Sequence, residues 1–206
     1  PLCDLVDSIA DLAGELHRTR TALVEREAEL AVGIPLVAAP EQEQHLAVIL
    51  QEILRAGGEA VEVDAAALFL LDDGTSELKL RSSWGLPLDR YTSPARPLRG
   101  SLADLEALTG HAVVIEDVGL LPHWQVPENF AAAVCLPVSS PTTPLGTVWF
   151  FSRVVRDFSE RQTNLLEVVA GRVAAELERQ LLLSEVAQQR SPSATVAKQS
   201  PELFSP

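Results

Sequence analysis

The chain has 206 residues, 47% of them hydrophobic, and a formal net charge of −13, which suits one ordinary domain with extensions and a core that needs no disulfide staple. The acidic balance excludes a nucleic-acid surface, because displacing counterions from phosphates needs a basic stripe and none is present. The only cysteines are Cys3 and Cys135, and no apolar run reaches the roughly 18–20 residues of a membrane span, so the pattern reads as cytoplasmic. A start at Pro1 and the lack of Met lead us to expect a segment of a longer protein with a separate output domain.

The first element is a heptad helix over residues 1–33. Leu2, Ile9, Leu16, Leu23 and Leu30 share one seven-residue repeat, and Leu5, Leu12, Thr19 and Arg26 share the interleaved one. Such a narrow apolar stripe packs against another helix but cannot cover a globular core, which predicts a coiled coil and a homodimer. A helix docked on its own domain is the alternative. Gly33-Ile34-Pro35 ends it, and residues 34–40 read as a linker. A second helix is expected near Glu43–Arg55, with Leu46, Ile49, Leu50, Ile53 and Leu54 on its apolar side and Gly57-Gly58 as its stop.

The sheet follows. Ala66–Leu71 is continuously apolar, as in a strand buried on both faces. Asp73-Gly74 signals a hairpin, and Leu78 and Leu80 alternate with Glu77, Lys79 and Arg81 in a strand with one wet face. A proline-rich loop containing Tyr91 leads to a short helix, Ser101–Thr109, with Ser101 as cap and Asp104 as the acid of a shortened capping box. Val113–Ile115, Val134–Val138 and Leu145–Phe151 supply three more strands. A long exit helix starts at Ser159, with Leu166, Ala170, Val173, Leu177 and Leu181 on one face and Leu165 and Val169 beside them. Residues 183–206 read as the helix end and a disordered tail. The dimer contacts expected from both terminal helices are Leu5, Ile9, Leu12, Leu16, Leu23, Leu30, Leu166, Val173, Leu177 and Leu181.

This order, together with DAAALFLLDDGTSELKLRSSWGLP, HAVVIEDV, VCLPV, LGTVWFFS and RDFSERQTNLLEVVAGRVAAELE, resembles the GAF domain over residues 41–182. The resemblance implies an α+β fold: an antiparallel sheet with helices on one face and a ligand pocket, or its vestige, on the other. It also implies a regulatory module of a larger bacterial signalling protein, such as a sensor histidine kinase or phosphatase of a two-component system. Cyclic-nucleotide-binding members carry Asn-Lys, Phe and Asp-Glu after the last strand. Here Ser152-Arg153, Phe158 and Gln162-Thr163 stand there, so only the Phe agrees. Bilin-binding members attach through a cysteine in a region that has none in this chain. Haem-binding members use a histidine in the loop that holds His123, which keeps a haem sensor as an alternative.

No catalytic constellation is present. His17, His45, His111 and His123 are dispersed without metal-ligand spacing, and no nucleophile elbow or phosphate-binding loop occurs. Asp72-Asp73 is turn chemistry, and Asp117 either caps its loop or contacts a ligand. Gly119–Phe130, GLLPHWQVPENF, is too apolar for a solvated loop. It nominates His123, Trp124 and Phe130, with Trp84 and Asp117, as binding residues for a small molecule whose identity, like any cofactor, the sequence does not name. Two rivals stand beside the sensor: a purely structural dimerisation domain with a vestigial pocket, and a sulfoxide reductase, which would need a second cysteine near Cys135.

Overall fold

The helix expected from the apolar spacing of residues 43–55 runs as α1 (Pro40–Ala60) in the computed structural model, which describes residues 40–72, 76–93 and 95–189. The coiled-coil segment, most of the 34–40 linker, the Asp73-Gly74 turn and the tail past residue 189 lie outside the described residues. Leu46, Leu50 and Leu54 form the buried line of α1, and each such side chain contributes roughly 1.5–3 kcal/mol. Gly57-Gly58 does not stop the helix, contrary to expectation. Both glycines lie inside it because a side chain would collide there: a Cβ on Gly58 would stand 2.4 Å from Trp84 Cζ3, and one on Gly57 2.9 Å from Val169 Cγ1. The stop comes at Glu62, whose φ of 58° lets its N–H donate to Glu59 O at 3.2 Å while Val63 N–H donates to Gly58 O at 3.0 Å. That is a Schellman closure with glutamate where glycine is usual.

Among the described residues, six strands form one sheet in the order β3-β2-β1-β6-β5-β4, every neighbouring pair antiparallel. The strands are β1 (Ala65–Leu71), β2 (Glu77–Trp84), β3 (Ala95–Pro97), β4 (Val113–Ile115), β5 (Ala132–Ser139) and β6 (Pro144–Ser152). Central β1 is buried on both faces, as its unbroken apolar run predicts. The wet face expected of β2 holds only near Glu77 and Lys79, whereas Arg81, Ser82 and Ser83 are buried. A bulge explains this. Leu68 pairs with Ser82 and Phe69 with Leu80, so Arg81 is skipped and the later residues exchange faces.

One face of the sheet carries α1 and the exit helix α3 (Glu160–Gln189) over Ala66, Leu68, Val134, Leu136, Val148 and Phe150. A capping box opens α3: Gln162 N–H donates to Ser159 Oγ at 3.3 Å, and Ser159 N–H donates to Gln162 Oε1 at 3.1 Å. Leu166, Val173 and Leu177 are buried in the chain's own core. This corrects their assignment as dimer contacts, since these side chains are already spent; Leu181 is exposed. The resemblance places a ligand pocket, or its vestige, on the other face. That face is covered by α2 (Leu102–Leu108), a 3-10 turn (Leu88–Thr92) and the 116–131 loop, over Ala67, Phe69, Ala133, Cys135, Trp149 and Phe151.

Candidate functional site

The covered face holds a buried polar centre within an aromatic wall. Asp104 has no exposed surface at all. It is not a capping acid: the Ser101 side chain makes no cap bond, and Asp104 turns inward on the same side of α2 as buried Ala103 and Ala107. Its Oδ1 accepts from Thr147 Oγ1 at 2.7 Å and from Trp149 Nε1 at 2.8 Å. Its Oδ2 faces Arg96 Nη2 at 3.0 Å, and the Arg96 side chain is only 11% exposed. Burial lowers the Arg96 pKa, with the Asp104 charge opposing that shift.

Arg96 is a junction between elements. From edge strand β3, its Nη2 donates to Ser101 Oγ at 3.0 Å and to Gln125 O of the 116–131 loop at 3.2 Å. Ser101 Oγ in turn donates to Pro97 O at 2.8 Å. Among the described residues, Arg96 Nη1 is buried without a hydrogen-bond partner, and Asp104 Oδ2 makes no bond of good geometry. A second clasp lies nearby: Arg90 Nε donates to Glu128 Oε1 at 2.6 Å, and the two side chains are 18% and 13% exposed. Arg90 Cζ lies 5.9 Å and Arg96 Cζ 5.6 Å from the centroid of Phe69, so both guanidinium groups approach one ring.

Aromatic rings continue from Arg96. Its Cζ lies 5.9 Å from the Trp149 centroid, Trp149 stacks on Phe151 at 5.8 Å, and Phe151 stacks on Phe130 at 5.1 Å. Cys135 sits buried in this wall. Burial, with a smaller contribution from the Asp104 charge, pushes its thiol well above the ordinary range. Tyr91 closes one side by accepting from Ser83 Oγ at 2.9 Å, and burial raises its phenol too.

The residues nominated from sequence divide. Phe130 and Trp124 pack against this wall. Asp117 caps its own loop, accepting from Gly119 N–H at 2.8 Å. His123 is exposed. Trp84 packs on the opposite, helical face against Gly58. The sequence reading missed Arg90, Arg96, Asp104 and Glu128. One signal was available: Asp104 shares the apolar side of a short helix with Ala103 and Ala107. Among the described residues, no group of three His, Cys, Asp or Glu can hold a metal ion, and no helix is long and apolar enough to cross a membrane.

A family model for the GAF domain matches residues 43–178. The chain belongs to the GAF family. Solved structures share the fold. The GAF domain of a phosphoenolpyruvate-protein phosphotransferase from Coxiella burnetii is 21% identical, with a TM-score of 0.59 over 81% of this chain and 96% of that one. A type II free methionine-R-sulfoxide reductase from Thermoplasma acidophilum is 20% identical, with a TM-score of 0.57 over 66% and 95%. A domain of a putative two-component sensor histidine kinase protein from Sinorhizobium meliloti is 17% identical, with a TM-score of 0.53 over 74% and 99%. No curated protein matches the chain. In this GAF domain the polar centre and the aromatic wall lie beneath the loop-covered face of the sheet, on the side away from α1 and α3.

Proposed function

We propose that this GAF domain is a non-enzymatic regulatory module of a cytoplasmic signalling protein, with a small ligand bound on the loop-covered face and a homodimer formed through its terminal helices. Strand β5 supports the relay. Ala133 and Cys135 point to the polar centre, while Val134 and Leu136 point to the helical core that holds α3. A shift of β5 on ligand binding is therefore felt by the exit helix without an intermediary, and α3 leads toward an output domain. The coupling can be no larger than the ligand's differential affinity for the two helix arrangements.

The outer side of α3 supports a second copy as partner. Leu165, Val168, Ala175, Leu182 and Val186 follow a three-and-four spacing interrupted by Arg172 and Arg179, and Val168 and Leu182 are 69% and 63% exposed. In this proposal they hold the dimer together with the N-terminal heptads. Light scattering on Leu182→Glu/Val186→Glu and on Leu12→Glu/Leu16→Glu is expected to give a monomer in both cases. A monomeric wild type removes the dimer, and an unchanged dimer mass in both variants removes the terminal-helix seam. For the relay, a spin label at Arg179 is expected to change mobility when ligand binds, and constant mobility at saturation removes it.

Enzymatic turnover has little to support it: Cys135 is the only cysteine among the described residues, and its thiol is buried and held protonated. A haem sensor is no better supported, since His123 is exposed rather than inside an apolar cleft. The purely structural rival draws on one observation, the filling of the covered face by its own side chains. A thermal-shift screen against small metabolites separates the two, with a flat response favouring the rival.

A further inference from the structure

On the reading that the loop-covered face is the ligand face, we propose that Arg90 and Arg96 form a subsite for a small organic carboxylate, with Glu128 occupying it as an internal stand-in when no ligand is bound. Two like charges converge on the Phe69 ring, 5.9 Å and 5.6 Å from its centroid. Such an arrangement is costly unless anions accompany it. Asp104 and Glu128 are those anions, and they are not equivalent. Asp104 sits on α2 with Oδ1 committed to Thr147 and Trp149, so it is fixed. Glu128 arrives from the 116–131 loop and is held by Arg90 Nε at 2.6 Å.

Arg96 Nη1 meanwhile is a buried donor with no hydrogen-bond partner among the described residues. A carboxylate entering in place of Glu128 accepts from Arg90 with one oxygen and from Arg96 Nη1 with the other, a charge-assisted pairing of the kind arginine favours. Its apolar body lies along the Trp149, Phe151 and Phe130 run, which leads outward from Arg96. The occupant now on Arg90 is itself a carboxylate, and exchanging one monoanion for another preserves the balance of two positive and two negative groups. A phosphate dianion breaks that balance. Displacement of Glu128 also releases the Arg90 clasp on the 116–131 loop, leaving the Arg96 bond to Gln125 O. The loop that covers the face thus opens on the same event that fills it.

The test uses the full chain and four probes: benzoate, hexanoate, benzamide and inorganic phosphate. Binding is followed by calorimetry and by tryptophan fluorescence, since Trp124 lies in the loop and Trp149 beneath Arg96. Saturable binding is expected for benzoate and hexanoate and not for benzamide or phosphate. Glu128→Gln removes the competitor and is expected to tighten carboxylate binding about tenfold, whereas Arg90→Gln weakens it about tenfold. A merely structural ion pair shifts binding the same way in both variants. No saturable carboxylate binding in either the wild type or Glu128→Gln overturns the subsite, as does an equal response to phosphate. Unchanged or weaker binding in Glu128→Gln overturns the stand-in role. Benzamide binding as well as benzoate removes the carboxylate requirement while leaving the ligand face intact. Carboxylate binding with a silent spin label at Arg179 keeps the subsite and removes only the relay.

Discussion

Removing Asp104 tests whether the polar centre is built around one carboxylate. In Asp104→Ala the Arg96 guanidinium keeps its burial but loses its counter-charge, and Trp149 Nε1 and Thr147 Oγ1 lose their common acceptor. Breaking one partner of a buried pair costs about 3–5 kcal/mol, a large share of the roughly 5–15 kcal/mol that holds a domain together. Asp104→Asn keeps an acceptor oxygen for Thr147 and Trp149 but loses the charge and turns an amide NH2 toward Arg96, so it is expected to cost less than the alanine change, about 2 kcal/mol. The decisive variant is Arg96→Met/Asp104→Leu. It removes both charges and fills the space with apolar atoms, and is expected to regain the part of the Asp104→Ala loss that comes from the unpaired guanidinium, while Trp149 Nε1 and Thr147 Oγ1 still lack their acceptor. Urea unfolding followed by far-UV circular dichroism reads all three. A cost below about 1 kcal/mol for Asp104→Ala refutes the reasoning. So does a double variant that loses as much as Asp104→Ala.

Gly58 and Gly171 both lie inside helices, so alanine at either brings about 1 kcal/mol of helix propensity. A Cβ on Gly171 meets nothing within 4 Å, whereas one on Gly58 meets the Trp84 ring at 2.4 Å. Gly171→Ala is therefore expected to raise Tm, and Gly58→Ala to lower it by an overpacking cost of about 1–3 kcal/mol less the propensity gain. Glu62 occupies the left-handed region at φ 58°; Glu62→Gly is expected to stabilise by about 0.5–1 kcal/mol in the same unfolding assay. The Cys135 thiol is raised on folding, so unfolding releases its proton more readily and stability is full below the unfolded thiol pKa. Stability is expected to fall as pH rises past about 8.5, toward the folded value, and the fall is expected to be shallower in Cys135→Ala.

Local pattern determined most of the architecture. The three-and-four apolar spacing of residues 46–54 and 166–177 placed both long helices, and the unbroken run at 66–71 placed the doubly buried strand, because burial on one stripe or on two faces leaves a periodic trace. Ser159 was legible as a cap for the same reason: capping is settled within one turn. Tertiary contact decided the rest. Gly57-Gly58 carries a helix-stop signature, yet the nearness of Trp84 and Val169 selects glycine there and the helix runs on. Skipping Arg81 at the bulge moved Trp84 to the helical face. Above all, Arg96 and Asp104 looked like loop and cap residues. Only the approach of edge strand β3, α2 and β6 makes them a buried pair, because the partners that satisfy a buried charge come from distant parts of the chain, where no local period records them.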